Sequence, residues 1–366
     1  MKILVLNPGS TSTKIAVFED HKALFVETIR HETADLERFA HVMDQEGFRK
    51  ETIMAALARH GHAVTDMTAV IGRGGLLKPM PGGVYAVGPE MLSDLRSCRF
   101  GTHASNLGAI LAHDLAASAG TKALIADPVV VDELGPLARY SGHPSIQRRS
   151  IFHALNHKAV ARRAAQELGR SYEELRLIVA HLGGGVSVGA HELGRVIDVN
   201  NALDGDGPFS PERSGGLPSG AVVTWCFAPD AREEDIRRRI TGAGGLLAYL
   251  GTASGMEIEQ RIRKGDTLAR EVRQAMAYQV AKEIGAMGAV LRGRVDAVIL
   301  TGGLMHDQDL AGLITEQVEF LAPVKIHPGE DEMSALAEAA LRALKGMGET
   351  LSYPPGALTI AGQNPD

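Results

Sequence analysis

Near the amino terminus, Asn7-Pro8-Gly9-Ser10-Thr11-Ser12-Thr13-Lys14 sets four hydroxyl side chains, one glycine and one lysine in a row. Such a turn can aim backbone N–H groups and the Ser10, Thr11, Ser12 and Thr13 hydroxyls at phosphate oxygens, with Lys14 adding charge. The Asn7 amide offers a hard oxygen to a hydrated Mg²⁺. The competing reading is a hairpin that is merely rich in serine and threonine. It is not a Walker loop, because the G-x-x-x-x-G-K-[ST] spacing is absent. A second turn, His181-Leu182-Gly183-Gly184-Gly185, follows an apolar run directly. Its three glycines permit close approach of backbone to a polyphosphate, or serve a tight hairpin for its own sake. His181 reads as a hydrogen-bonding support of that turn. A third turn, Thr301-Gly302-Gly303, suits an adenosine or phosphate contact.

The elements that must position these turns are legible around them. Lys2 to Leu6 and Lys14 to Glu19 read as strand, tight turn, strand, and Arg176 to Ala180 with Val186 to Ala190 repeat the pattern, followed by a third run at Arg195 to Val199. Two such units about 170 residues apart are too far separated for a solenoid and imply a duplicated domain. Helical patterns run from Ala104 to Ala119 before Gly120, and from His153 to Leu168 before Gly169, each with a glycine placed to end the helix. Glu332 to Lys345 carries Met333, Leu336, Ala337, Ala340, Leu341 and Leu344 on one helical face, with Gly346 behind it. Ala123 to Asp127 and Ala297 to Thr301 read as buried strands. The Pro- and Gly-rich tail from Ser352 reads as a poorly ordered end or a surface arm. Strands alternating with helices predict an α/β chain of two lobes.

Bulk composition restricts the function classes. The chain has 366 residues, 22% charged and 45% hydrophobic, with a net charge of −6. Its basic runs (Arg148-Arg149, Arg237 to Arg239, Arg261 to Lys264) are short and lie beside acids, so they read as solvated helix faces and predict no nucleic-acid partner. Two cysteines make no disulfide framework, no leader is recognisable, and no apolar run nears the ~20 residues needed to cross a bilayer. A cytoplasmic chain with no membrane partner is the expectation.

The order hairpin, hairpin, late Thr-Gly-Gly is similar to the ATPase core shared by actin, sugar kinases, Hsp70 chaperones and acetate kinases. Residues between the turns narrow the resemblance. Arg148-Arg149-Ser150-Ile151-Phe152-His153, Asn156-His157, His181-Leu182-Gly183, Gly72-Arg73-Gly74-Gly75 and Phe209-Ser210-Pro211-Glu212-Arg213-Ser214-Gly215 together resemble the acetokinase family of acetate, propionate and butyrate kinases, over residues 1 to about 345. The resemblance implies a duplicated ribonuclease H-like, actin-like ATPase fold with an interdomain active-site cleft, residues 1–150 plus 331–366 forming one lobe and 151–330 the other. It implies reversible in-line transfer of the γ-phosphoryl group of ATP to butyrate or a similar short-chain carboxylic acid, giving an acyl phosphate and ADP with Mg²⁺, in a homodimer or higher homo-oligomer. An acetate or propionate kinase, or an actin- or Hsp70-like nucleotide switch, are the alternatives.

Roles follow from the same resemblance. Arg73 and Arg213 resemble the arginines that grip the acid and the transferring phosphoryl group. His153 resembles the histidine that hydrogen-bonds that group, Asp127 the catalytic aspartate, and His103 the other site histidine. Asn7, Ser10, Ser12 and Lys14 match the phosphate and magnesium hairpin. His181, Gly183, Gly184, Gly185, Gly302 and Gly303 match the nucleotide side. Among Glu330, Asp331 and Glu332, Glu330 is taken as the magnesium-associated acid. His157, one turn after His153, is expected to support it. Thr252-Ala253-Ser254-Gly255-Met256-Glu257 departs from the family pattern, lacking its Asp and Arg. Gly74 and Gly75 are read as leaving room for an acid longer than acetate.

Overall fold

The computed structural model describes residues 1–353; the expectation for the tail from Ser352 otherwise lies outside them. Two units divide the chain: Met1–Val131 with Asp331–Asp366, and Asp132–Glu330. The first crossing thus falls after Val131 rather than after residue 150. The intervening segment is tied to the second unit by Lys158 Nζ on Glu133 (3.0 Å), by Val196 N–H on Glu133 Oε2 (2.7 Å) and by Arg148 on Asp198 (2.8 Å).

In the first unit, β1 (Lys2–Pro8), β2 (Ser12–Glu19) and β3 (Lys22–Arg30) form an antiparallel meander, and β4 (Ala69–Arg73) lies parallel to β1. The short strand β5 (Val84–Ala86) and β6 (Lys122–Ala126) extend the sheet beyond β4. In the second unit, β7 (Arg176–Leu182), β8 (Val186–Glu192) and β9 (Arg195–Val199) repeat the meander. There β10 (Ala297–Gly302) lies parallel to β7, and β11 (Val324–Pro328) parallel to β10. A final strand, β12 (Thr350–Leu351), pairs with β5 at the edge of the first sheet. Hence the orders β3-β2-β1-β4-β6 and β9-β8-β7-β10-β11 are the same arrangement built twice.

The inner parallel strands are covered on both faces, which is why β4 and β10 are apolar nearly throughout, whereas the edge strand β11 alternates Val324, Lys325, Ile326 and His327. On β7, Ile178, Ala180 and Leu182 enter a core with the long helix Thr267–Val290, while Leu177 and Val179 enter a separate core with Val160, Ala161 and Ala164 of the helix Ala154–Glu167. Each fully buried aliphatic side chain contributes about 1.5–3 kcal/mol relative to exposure. The helix Asn106–Ala119 ends in Gly120 at φ +67°, and Gly169 and Gly346 behind the helices Ala154–Glu167 and Glu332–Leu344 sit at +65° and +68°. These are the left-handed positions for which the glycines were read. Among the described residues, no helix is long and apolar enough to cross a membrane.

Candidate active site

Ligand-facing groups of parallel sheets collect at the carboxyl ends of the strands, where loops leave the core and backbone N–H groups are unpaired. Three of the expected residues of the first unit stand at such ends. Asn7 stands at the end of β1, Arg73 at the end of the adjacent β4, and Asp127 just beyond the next strand, β6. They do not act alike. Asn7 Nδ2 donates to Glu332 Oε2 at 2.6 Å, and the same carboxylate takes Arg73 Nη1 at 3.0 Å, so one acid at the start of its helix gathers both. Asp127 is buried at a positive φ of 39°, and its Oδ1 accepts the Gly83 N–H at 2.7 Å, which clasps the loop before β5 to the end of β6.

The carboxylate beside Asn7 is therefore Glu332, not the Glu330 expected. Glu330 ends the second unit, where Oε1 lies 3.1 Å from His181 Nε2, and Asp331 caps the helix by accepting the Ser334 N–H. Asn7 turns its Nδ2 toward Glu332, so the hard oxygens that this corner shows are those of the Glu332 carboxylate. A carboxylate suits Mg²⁺, which takes one or two of them and keeps most of its waters, and a neighbouring amide can hold one of those waters.

A residue outside the expected set holds the Ser10–Lys14 hairpin. Arg49 is fully buried and makes five hydrogen bonds, all to neutral oxygens. Nη1 donates to Ser12 O and Thr13 Oγ1 at 2.9 Å each, Nη2 to Ser10 O at 3.3 Å and Gln45 Oε1 at 2.8 Å, and Nε to Gln45 Oε1 at 3.0 Å. Burial pulls its pKa down to about 10, so it remains cationic at neutral pH. The Gln45/Arg49 spacing of one helical turn was the signal available in the sequence.

His103 lies near Arg73 but faces its own chain: the Ser105 N–H donates to Nδ1 at 3.1 Å. That leaves its proton on Nε2. Burial first, then the Arg73 charge, hold its pKa below the usual range. Gly74 and Gly75 do not open a pocket. A methyl group on Gly74 would lie 2.6 Å from Pro128 Cβ, and one on Gly75 2.4 Å from Asn106 Oδ1. They are glycines because the chain after Arg73 presses against the loop after β6 and the helix Asn106–Ala119, and the reading of spare room for a longer acid is withdrawn.

In the second unit the same strand ends carry the other turns. His181–Gly185 follows β7, Gly302 and Gly303 end β10, and Glu330 follows β11. Arg213 explains the glycine turn. A methyl group at Gly185 would sit 2.0 Å from Arg213 Nη1, and one at Gly183 2.5 Å from Glu330 Oε1. The guanidinium, which also bonds Ala202 O, is mostly buried, and burial lowers its pKa against the opposing pull of Glu212. His181 Nδ1 is 2.8 Å from Asn156 Oδ1, and its ring stacks on His153 with centroids 3.9 Å apart. Thr252 to Glu257 is a helix start, where the Ser254 side chain accepts the Glu257 N–H and Thr252 Oγ1 donates to Glu257 Oε2.

His157 is fully buried, with Nε2 2.8 Å from Ser187 Oγ and Nδ1 3.2 Å from His191 Nε2. Burial is the main reason both histidines titrate well below the usual range; nearby positive groups add to it. The unfolded chain protonates them near pH 6.5, whereas the folded chain does not, so protons bind preferentially to the unfolded state as pH falls below that value. Stability should decline from pH 6.5 toward 5, by at most about 1.4 kcal/mol per pH unit for each histidine. In His191→Gln the slope of urea-unfolding stability against pH should become shallower; an unaltered slope would refute the assignment.

Comparison with known proteins follows the same outline. Residues 138–336 match the model of the Acetokinase family. Butyrate kinase 2 of Clostridium acetobutylicum is 53% identical over 352 residues, covering 96% of this chain and 99% of that protein. The crystal structure of Porphyromonas gingivalis acetate kinase aligns over 93% of this chain and 98% of its own, with a TM-score of 0.77 at 20% identity. A propionate kinase from Francisella tularensis aligns over 92% and 98%, with a TM-score of 0.71 at 18% identity. These two likenesses show the fold.

Proposed function

The chain belongs to the acetokinase family, and we propose that as a carboxylate kinase it transfers the γ-phosphoryl group of ATP to butyrate or a closely related short-chain acid. The observation that carries this reading is the cluster Asn7–Glu332–Arg73. It sets a carboxylate and an amide for a hydrated cation beside a guanidinium for an anion, at two neighbouring strand ends.

A carboxylate is ionised at neutral pH and needs no general base. The obstacle is charge, since an anion must approach the terminal phosphate of another. A carboxylate oxygen bonds to the γ-phosphorus while the bond to the β,γ-bridging oxygen breaks, and ADP leaves with that electron pair. Arg73 and Arg213 take the role of planar, bidentate grips on carboxylate and phosphoryl oxygens. His153 takes that of a hydrogen-bond donor to a phosphoryl oxygen. The hairpin Ser10 to Lys14 and the turns at Gly183–Gly185 and Gly302–Gly303 hold the phosphates and nucleotide. Asn7 and Glu332 would hold Mg²⁺, which when bound supplies charge neutralisation on the nucleotide phosphates. Positioning and electrostatics then supply most of the rate enhancement, as phosphoryl transfer generally requires. Asp127 is assigned a positioning part through Gly83. The same reading takes in a cytoplasmic homodimer or higher homo-oligomer.

The test is acyl phosphate formation from Mg-ATP and acids of two to five carbons, trapped as hydroxamates. Butyrate should lead, with neighbouring acids within roughly 10- to 100-fold, because one methylene is worth only ~1–3 kcal/mol. ADP release at the same rate without any acid would instead establish a nucleotide switch.

A further inference from the structure

Behind His153 the second unit buries a file of polar side chains that phosphoryl transfer does not itself require. Tyr172 Oη lies 2.7 Å from His191 Nδ1, and His191 Nε2 lies 3.2 Å from His157 Nδ1. His157 Nε2 lies 2.8 Å from Ser187 Oγ, which in turn lies 2.9 Å from His153 Nδ1. Ser187, His157 and His191 are 0% exposed and Tyr172 3%. The file runs beside an apolar core containing Val160, Ala161, Leu177 and Val179. An unpartnered polar atom there would be desolvated without compensation, so each member depends on the next.

Two spacings build it. His153 and His157 are one helical turn apart, at and just inside the start of the helix Ala154–Glu167. Ser187 and His191 are four residues apart on β8 and so share a face. Gly189 lies between them, and a methyl group there would come 3.4 Å from His157 Nδ1.

The direction of the file can be deduced. Burial keeps His157 and His191 neutral, so each ring has one N–H and one bare nitrogen. Each must donate on one side and accept on the other, which leaves two polarities for the whole file. Imidazole nitrogen is a better acceptor than a phenol oxygen, and phenol a better donor than acceptor. The Lys158 ammonium and Arg162 guanidinium lie 5.9 and 5.5 Å from the Tyr172 ring and make its hydroxyl a stronger donor still. The favoured polarity therefore starts at Tyr172. Its O–H donates to His191, His191 to His157, His157 to Ser187, and the Ser187 O–H to His153 Nδ1.

We propose that Tyr172 is a positioning residue for His153: through His191, His157 and Ser187 it fixes His153 as the Nε2–H tautomer, which presents a donor rather than a lone pair to an anionic phosphoryl oxygen. The wrong tautomer would turn electron density toward an anion, so its exclusion favours transfer without any new contact to substrate. No proton moves along the file during the reaction; its task is orientation. The proposal rests on the reading of His153 as a donor to the phosphoryl group.

The test is Tyr172→Phe, which keeps the ring and removes the terminal donor, in the full chain labelled with ¹⁵N-histidine. In the wild type, nitrogen–proton correlation spectra should show His153, assigned by loss of its signals in His153→Gln, as the Nε2–H form. In Tyr172→Phe the signals should move toward a tautomer mixture, with kcat lower on the order of tenfold and KM for ATP and acid little changed. That is less than the ~10²–10³-fold expected for deleting a transition-state donor outright. Ser187→Ala should reproduce both changes, and Ser187→Thr, which keeps the hydroxyl, should restore them; this pair decides the matter if Tyr172→Phe does not fold. Loss of stability with His153 unaltered in the spectrum and in kcat would leave Tyr172 a structural residue and overturn the proposal. A tautomer shift without a change in kcat would overturn it as well. If His153→Gln turns over like the wild type, the donor reading of His153 is what fails, and the persistence of the tautomer shift in Tyr172→Phe would identify that cause.

Discussion

Arg213→Ala should lower kcat by roughly 10²–10³-fold, the effect of removing one preorganised group that stabilises charge in a transition state. The guanidinium is mostly buried, bonds the Ala202 carbonyl and lies against Gly185, so its direction is set before any ligand arrives. Gly185→Ala gives a companion result. The Gly185 backbone is not in the left-handed region, so alanine is sterically permitted at that residue itself. The added methyl group would instead fall 2.0 Å from Arg213 Nη1 and push the guanidinium aside. If Gly185 matters only by making room for Arg213, its substitution is costly in the wild type and nearly silent in Arg213→Ala. The cycle of four kcat values measures this directly, since residues acting as a unit are strongly non-additive. Equal losses in both backgrounds would mean that the glycine turn has a phosphate contact of its own. Near-normal turnover in Arg213→Ala would remove Arg213 from the mechanism.

What the sequence made legible here was mainly what local periodicity and backbone chirality dictate. Strand, turn and strand around Asn7–Lys14 and again around His181–Gly185 are short-range patterns, and their recurrence was enough to announce a duplicated α/β chain. Helix ends at Gly120, Gly169 and Gly346 were readable because few residues other than glycine tolerate their φ values. Contacts between distant segments were not. Glu330 and Glu332 are two residues apart, yet one follows a strand and the other begins a helix, and a spacing rule cannot say which carboxylate meets Asn7. Gly74 and Gly75 looked like vacancies for a substrate. They are points where the chain presses on Pro128 and Asn106, and an absent side chain reads the same in either case. Ser187 and His191 interrupt the apolar β8, and that was a usable sign that a polar file crosses the core.

Arg49 was the residue least open to sequence reading, because arginine on a helix is ordinarily solvated. Arg49→Met should lower stability by roughly 2–4 kcal/mol, since it leaves Ser10 O, Ser12 O, Thr13 Oγ1 and Gln45 Oε1 without their buried donor. Urea unfolding would measure it. The charge matters separately from the bonds. All five hydrogen bonds go to neutral oxygens, so a full positive charge stands behind the Ser10–Lys14 turn with only dipoles to balance it. Desolvation makes that arrangement unfavourable in isolation, as the lowered pKa of about 10 records. An anion bound at the turn would relieve part of the penalty, so ligand binding and the stability of this cation should be linked. Saturating ATP should therefore raise the unfolding midpoint more in the wild type than in Arg49→Met. Arg49→Lys, which keeps the charge but not the planar fork, should lose much of the intrinsic stability while retaining most of the ligand-induced gain. If ATP stabilises all three equally, Arg49 serves only as a clasp for the hairpin, and its charge contributes nothing to phosphate binding.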